Sequence, residues 1–363
     1  MSSEIDIKTQ RLQQMLERER LGGVLLNTQH NFAWLTGGGS NGIDLSRENG
    51  AASLFVAANG NRFVLANKIE MPRMLTEEVS TDDFEPVEFS WQDEKARSNI
   101  VIEKAKDLAG GEIATDYAIE GKIAPCRYQL TTDEVARYRV QGKDAGAAIR
   151  RVIDTITPGE MEIEIAEKMR HEFALDGMTT VVALAAADER IAQFRHPVPT
   201  VKCWSKTLLL VICAKRRGLI TSLSRLVCIG NASDELKTKT TAAAYVHAAL
   251  LDATRPGTTG GELYRTAANA YAERGFADEI DRHHQGGAVG YRTREWVANP
   301  QSREIVPTDQ AFAWNPSITG TKVEETCITT AEGIEIISSS PDFPQISTMV
   351  NGREYISPGI LSL

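Results

Sequence analysis

Groups capable of acid–base chemistry are concentrated in a few short segments of the second half of the chain. His196 lies in "FRHPVPT", and His283 and His284 begin "HHQGGAVGY". An imidazole can accept and then return one proton near neutral pH. Because Pro197 and Pro199 restrict the backbone on either side of Val198, the sequence predicts a fixed direction for the His196 side chain.

Carboxylates near these segments occur at "KVEETC", which contains Glu324 and Glu325, and at "RTREW", which contains Arg294 and Glu295. A lone buried carboxylate must find a cation or take up a proton. Two interpretations of Glu324 stay open: it binds a positive group of a substrate, or it forms an internal pair with an arginine such as Arg294.

The stretch "LLLVICAKRRGLITSLSRLV", Leu208 to Val227, has the pattern of a β-hairpin and contains no carboxylate. Divalent ions such as Mg²⁺ and Ca²⁺ require oxygen ligands, mainly carboxylates. The hairpin by itself therefore predicts no site for such an ion.

The elements that position these groups fall into two parts. Residues 1–130 alternate helical and strand patterns, such as "GVLLN" and "AASLFVA", which is typical of an α/β domain. Residues 131–363 contain two long helices, each followed by a Pro-Gly turn and a second helix, and each helix pair precedes strand-like sequence. We expect an α+β domain with two related halves and a site between them.

Composition excludes several classes of protein. A chain of 363 residues is longer than one ordinary core, so two domains are expected. The formal net charge of -9 argues against a nucleic-acid partner. The polar N-terminus lacks the apolar core of a signal peptide, and no stretch is apolar enough to cross a membrane, which predicts a cytoplasmic protein. Five cysteines at unrelated spacings predict reduced thiols rather than disulfides.

The order of the motifs resembles that of the creatinase, Xaa-Pro aminopeptidase and prolidase family. The motifs are "HNFAWLTGG", the two helix-Pro-Gly-helix units, "FRHPVPT", "GLITSLSR", "HHQGGAVGY", "WNP" and "KVEETCITTAEG". The resemblance covers nearly the whole chain. It implies a creatinase-type N-terminal domain over residues 1–130, a pita-bread domain with pseudo-twofold halves over residues 131–363, and a homodimer.

The resemblance also locates the five ligands that hold two metal ions in peptidases of this family, where the ions activate a bridging water. At those positions this sequence has Val211, Ser222, Gly287, Asn315 and Glu324. Four of the five are not the family's Asp, His or Glu, so we expect no dinuclear site, no metal ligand and no cofactor. A displaced site on His284 and Glu295 is the alternative, but adjacent residues on a strand point to opposite faces, so at most one of His283 and His284 is expected to reach the site.

In the metal-free creatinases the position of His196 transfers the proton, so the resemblance implies a general acid–base role for His196. We expect Glu324 to orient the substrate or the water. Neutral hydrogen-bonding groups suit an amide or hydroxylated ligand rather than creatine. The residues expected to bind the substrate are Ser222, Asn315, Arg294, Glu295, His284 and Tyr291.

Three hypotheses follow. The first is a metal-independent hydrolase or lyase of a C–N bond in a small amino-acid-like substrate. The second is a catalytically inactive pita-bread protein that binds a ligand or a partner. The third, a conventional metal-dependent Xaa-Pro peptidase, needs carboxylates on the hairpin, and the sequence has none there.

Overall fold

The computed structural model describes residues 3–363 and divides into two units. The first comprises Met1–Asp133 with Arg217–Leu219, and the second comprises Glu134–Arg216 with Ile220–Leu363. Within residues 3–363, none of the helices combines the length and apolar character needed to cross a membrane. All five cysteines are free thiols, and four of them are buried.

The first unit is an α/β layer structure around one mixed sheet. Its strands are β1 (Gly23–Thr28), β2 (Asn49–Ala57), β3 (Arg62–Asn67), β4 (Glu85–Phe89) and β5 (Ile113–Thr115). Its helices are α1 (Glu4–Glu19), α2 (Gln29–Leu35), α3 (Met71–Arg73), α4 (Trp91–Ala96), α5 (Ile100–Leu108) and α6 (Asp116–Tyr128), and a π-helical turn (Met74–Glu78) follows α3.

The strand order in this sheet is β4-β3-β2-β1-β5. Strand β2 pairs antiparallel with both β1 and β3, whereas β5 pairs parallel with β1 and β4 pairs parallel with β3. Burial of Leu25, Phe55 and Leu65 on one face of the sheet, against Ile100 of α5, removes large apolar side chains from water. This burial explains why the two predicted strands, "GVLLN" in β1 and "AASLFVA" in β2, form.

The second unit contains the remaining elements. Its helices are α7 (Thr132–Thr155), α8 (Glu162–Leu175), α9 (Arg190–Gln193), α10 (Asp234–Ala253) and α11 (Gly260–Glu273), with a 3₁₀ turn at Ala277–Asp281. Its strands are β6 (Thr179–Ala187), β7 (Thr207–Arg216), β8 (Leu219–Cys228), β9 (Gly286–Val289), β10 (Trp296–Val297), β11 (Ala311–Trp314), β12 (Ser317–Ile318), β13 (Thr321–Lys322), β14 (Glu325–Thr329), β15 (Ile334–Ile336), β16 (Gln345–Val350), β17 (Arg353–Pro358) and β18 (Ile360–Ser362).

Two larger sheets organise these strands, in the orders β18-β8-β7-β6 and β10-β9-β11-β14-β15. Backbone contacts join the sheets: Ser224 forms an isolated bridge with Glu324, and the Ile220 N–H donates to the Gly290 carbonyl. The hairpin β7–β8 is therefore held directly beside the segment that carries Glu324.

The two halves of this unit repeat one local construction. Gly159 and Gly257 end the two Pro-Gly turns with φ of 98° and 94°, a left-handed conformation that favours glycine. Each turn is followed by a matching antiparallel bridge, Met161 with Cys203 in one half and Thr259 with Ile305 in the other. The predicted α+β class with two related halves is confirmed.

Candidate functional site

Three histidines from two separate segments meet in the C-terminal unit. The Nε2 atoms of His196 and His283 lie 3.3 Å apart. The rings of His283 and His284 are stacked with centroids 4.5 Å apart, and the centroids of His196 and His284 are 6.0 Å apart. His283 is 9% exposed, whereas His196 and His284 are exposed. The cluster therefore has one buried residue and two whose rings are partly covered by the surrounding protein.

The expectation that at most one of His283 and His284 reaches the site is wrong. That expectation assumed an extended strand, in which neighbouring side chains point to opposite faces. Strand β9 begins only at Gly286, and His283 lies in a bend before it. The backbone there directs both imidazoles toward His196.

Glu162 on α8 fixes both ends of the segment that carries His196. Its Oε1 accepts hydrogen bonds from the Ala187 N–H at 2.8 Å and the Arg190 Nε at 2.9 Å. Its Oε2 accepts from the Thr200 N–H at 2.9 Å and the Thr200 hydroxyl at 2.7 Å. The fully buried Glu162 carboxylate thus accepts four hydrogen bonds. Because hydrogen bonds to a charged acceptor are stronger than those between neutral groups, Glu162 holds the backbone at both Ala187 and Thr200 in place.

The residues next to His196 are also held. Arg195 pairs with Glu279 and donates to the Thr319 hydroxyl at 2.9 Å, and Pro197 is buried. His196 is thus an exposed residue on a constrained backbone.

Glu324 lies in a separate charged cluster. It is 1% exposed, and its Oε2 lies 2.8 Å from the Lys322 Nζ and accepts from the Ser224 hydroxyl at 2.6 Å. Its Oε1 lies 3.4 Å from an Arg294 nitrogen. Burial alone would raise the pKa of Glu324, but Lys322 and Arg294 outweigh burial and hold the pKa at about 2. The cations that this carboxylate requires come from the chain itself.

Arg225 pairs with the neighbouring carboxylate. Its guanidinium is fully buried, and one of its nitrogens lies 2.8 Å from Glu325. It also donates to the carbonyl groups of Ser224 and Ser338 at 2.8 and 2.9 Å. Arg225 therefore fastens the hairpin to β14 and is not available to a ligand.

The imidazoles of the cluster are neutral at neutral pH. Burial, followed by the positive charge of Lys322, lowers the pKa of His196 and brings that of His283 to about 2. Burial and the charge of Arg294 bring the pKa of His284 to about 4. Neutral imidazoles can act as proton acceptors or as metal ligands.

The hairpin positions implied by the resemblance do not fit a metal site. Val211 is buried in an apolar cluster with Leu209 and Leu226. The Ser222 hydroxyl donates to the Cys213 sulfur at 3.2 Å, and the Ser222 N–H donates to the Thr326 hydroxyl at 2.8 Å. Neither position offers a charged oxygen ligand.

The next two positions do not fit either. A Cβ at Gly287 would lie 2.1 Å from the Trp296 carbonyl oxygen, so this backbone has no room for any side chain there. Asn315 is buried, its N–H donates to the Gln285 carbonyl, and its Oδ1 has no hydrogen-bond partner among the described residues. With Glu324 already paired to Lys322, the five residues do not fit a dinuclear metal site.

The remaining predicted binding residues have partners within the fold. The Tyr291 hydroxyl donates to Glu134 at 2.7 Å, and the Tyr291 N–H donates to Glu295 at 3.1 Å. These contacts support a structural role for Tyr291 and Glu295 rather than the predicted role in binding. Arg294 differs, because its Nε is buried without a hydrogen-bond partner among the described residues.

Three residues of the site were not predicted. Lys322 lies two positions before Glu324, and the period of two in extended chain is the signal that could have placed the two side chains together. His283 was not expected to reach the site together with His284, because the segment was assumed to be an extended strand. Glu162 gave no signal, because its role depends on two chain segments that are distant in sequence.

Comparisons with known proteins agree with this architecture. Residues 8–151 match the Creatinase/Prolidase N-terminal domain, and residues 136–336, more than half of the chain, match metallopeptidase family M24. A creatinase-type α/β domain thus precedes a pita-bread domain. The chain belongs to metallopeptidase family M24, and the predicted resemblance to the creatinase and prolidase family is confirmed.

Individual relatives are distant. A Xaa-Pro dipeptidase of Pyrococcus horikoshii is 26% identical over 199 residues, which cover 52% of this chain and 56% of the relative. The crystal structure of the prolidase from Pyrococcus horikoshii OT3 has a TM-score of 0.75 at 19% identity and covers 92% of this chain and 98% of that one. The N-terminal domain of FACT complex subunit SPT16 from chickpea has a TM-score of 0.69 at 10% identity, with 93% and 97% covered.

These figures limit what can be transferred. The alignment spans little more than half the length of the curated relative. At such low identity the structural likenesses show the fold alone, and the fold occurs both in a prolidase and in a subunit of the FACT complex.

Proposed function

We propose that this protein cleaves a C–N bond in a small amino-acid-like molecule without the dinuclear metal centre, and that His196 transfers the proton. The observation that carries the proposal is the contact between the Nε2 atoms of His196 and His283, 3.3 Å apart, on a backbone fixed by Glu162. For hydrolysis, His196 would remove a proton from water as its oxygen attacks the carbon, and return that proton to the departing nitrogen.

The charges beside the cluster support a substrate with an acidic group. Lys322 and Arg294 both face the one carboxylate of Glu324, and the Arg294 Nε has no partner among the described residues. Two cations that share one carboxylate leave an excess of positive charge, which suits an acidic group of a substrate. The same charges disfavour a cationic substrate, which agrees with the expectation that creatine is not the substrate.

The test is a turnover assay on chelator-treated protein with a panel of Xaa-Pro dipeptides, N-acyl amino acids and creatine, with products detected by mass spectrometry. We expect cleavage of an acidic member of the panel. His196→Ala should lower turnover at least about 100-fold, as expected for loss of a general acid–base group. His171→Ala is the matched control, because His171 is exposed on α8 outside the cluster.

Two outcomes would count against the proposal. Turnover that persists in His196→Ala would remove the assigned mechanism. Turnover that appears only after addition of Mn²⁺ or Co²⁺ would favour a conventional metallopeptidase.

Binding without turnover is the second candidate function, favoured by the buried cations around Glu324. An acidic panel member that binds by calorimetry but is never cleaved would select it. We also propose a homodimer in the cytoplasm, supported by the family; light scattering on the purified protein tests the dimer.

A further inference from the structure

We propose that His196, His283 and His284 together bind one divalent transition-metal ion of the zinc type. One ligand nitrogen from each of the three rings lies within 4.8 Å of the others. This site is distinct from the family's dinuclear centre, since none of the three residues occupies a position that the resemblance assigns to a metal ligand.

The separation of the nitrogens carries the argument. Zinc–nitrogen distances of about 2.0–2.1 Å with tetrahedral angles place two ligand nitrogens roughly 3.3–3.4 Å apart. The Nε2 atoms of His196 and His283 are 3.3 Å apart. Their separation already matches that of two nitrogens bound to one tetrahedral ion. A nitrogen of His284 lies within 4.8 Å of both, and the His284 ring, now stacked on His283 at an interplanar angle of 24°, has to turn to direct that nitrogen at the same ion.

The number and exposure of the ligands define an open site. Three protein ligands and a fourth position held by water are the arrangement of catalytic rather than structural zinc sites. His283 provides the buried anchor, while His196 and His284 leave the ion accessible from solvent. Glu324 does not complete the set, because Lys322 and Ser224 already contact its Oε2.

The chemistry of the ligands sets the selectivity. Imidazole nitrogens suit Zn²⁺, Cu²⁺, Ni²⁺ and Co²⁺, whereas Mg²⁺ and Ca²⁺ require oxygen. The positive charges of Lys322 and Arg294, which act on the imidazoles, oppose a further cation and weaken its binding. We therefore expect a selective site of moderate affinity.

Metal binding goes beyond the proposed function and does not depend on it. A bound ion would occupy the lone pair on His196 that proton transfer requires, so the two states exclude each other. Metal retention is measured without substrate and turnover is measured on chelated protein, so either proposal can fail while the other stands.

The experiment uses the full chain purified without a histidine tag and stripped with a chelator. Zn²⁺ binding is measured by equilibrium dialysis with mass spectrometry of the metal, and Co²⁺ is added to record the visible absorption of a tetrahedral ion. We expect about one Zn²⁺ per chain, a tetrahedral Co²⁺ spectrum and no retention of Mg²⁺.

His284→Ala should weaken Zn²⁺ binding at least about tenfold, with His171→Ala as the matched control. His284 is exposed, so its substitution should leave the circular dichroism spectrum and the fold unchanged. His283→Ala should abolish binding, and its folding is checked in the same way. The proposal would be overturned if His171→Ala and His284→Ala lost the same amount of Zn²⁺ affinity. It would also be overturned if the wild type bound less than about a tenth of a Zn²⁺ ion per chain.

Discussion

The histidine cluster and the Glu324 cluster lie in the same unit and differ in the charge of their side chains. The Glu324 cluster is buried and joins one carboxylate to Lys322 and Arg294. The histidine cluster consists of neutral rings, two of them exposed. In the metallopeptidase pattern, metal ions would neutralise Glu324, whereas here two side chains do so. The charged side chains that pair with one another are thus distinct from the imidazoles that can accept a proton or bind a metal ion.

The sharpest way to break this comparison is to remove the carboxylate from the Glu324 cluster. Glu324→Met leaves the buried Lys322 and the partly buried Arg294 without their shared counter-charge, and an uncompensated buried charge costs about 3–5 kcal/mol. We expect a loss of that size in the free energy of unfolding from urea titrations. His284→Ala, which removes an exposed neutral ring, should cost less than about 1 kcal/mol.

The double variant Lys322→Met/Glu324→Met is the control for this prediction. Removing both members of a buried pair is often nearly neutral. It should therefore recover part of the stability that Glu324→Met loses, with Arg294 still lacking its carboxylate. Equal stability of Glu324→Met and the wild type would contradict a structural role for the cluster.

Glu324 should contribute to the loss of stability in acid, together with the neutral histidines of the cluster. The pKa of Glu324 falls from its ordinary value of 4.5 to about 2 in the folded chain. Between these values the unfolded chain binds the proton more readily, so the contribution of Glu324 is complete above about pH 4.5 and is lost as the pH falls toward 2. The shift corresponds to a contribution on the order of 3 kcal/mol.

Glu324→Gln tests this prediction, because the amide does not titrate. The difference in unfolding free energy between the wild type and Glu324→Gln should shrink as the pH is lowered from 5 to 2. A difference that stays constant over this range would show that Glu324 has an ordinary pKa in the folded chain.

Gly287 tests whether the site could return to the dinuclear pattern. A side chain there would meet the Trp296 carbonyl oxygen, so Gly287→Ala should destabilise the chain by about 2–3 kcal/mol. Gly121→Ala is the control, since a Cβ at that helical position has no atom within 4 Å and should be neutral or stabilising. Thermal unfolding of both variants measures the difference, and equal melting temperatures would mean that the backbone can adapt to a side chain at 287.

The sequence predicted the fold better than the site, for physical reasons. Helix periodicity and Pro-Gly turns are local signals, so both helix pairs and their repeat were correctly expected. The position of Glu324 followed from the motif order, but its partner Lys322 did not, because pairing depends on side-chain direction. The histidine cluster was missed because a bend replaced the assumed strand at His283, and a bend of this kind has no clear sequence signal.

The smallest expected effect concerns Glu162, which supports the histidine cluster from a distance. Glu162→Gln replaces one acceptor oxygen by an amide NH₂ donor. The donors at one end of the segment between Ala187 and Thr200 then lose their acceptor and face another donor. Hydrogen bonds to charged groups contribute about 1.5–3 kcal/mol, and we expect a loss of about 2 kcal/mol in unfolding free energy. Glu167→Gln, on the exposed face of the same helix, is the control.

A purely structural role for Glu162 would lower stability and leave the cluster intact. If Glu162 positions His196, Zn²⁺ binding should also weaken in Glu162→Gln under conditions in which the variant is fully folded, and the Co²⁺ spectrum should lose intensity. Among the described residues, no charged side chain hydrogen-bonds to the His196 ring, so the position of His196 depends on the backbone that Glu162 holds. Unchanged Zn²⁺ affinity in the folded variant would show instead that the two prolines and Arg195 are sufficient to place His196.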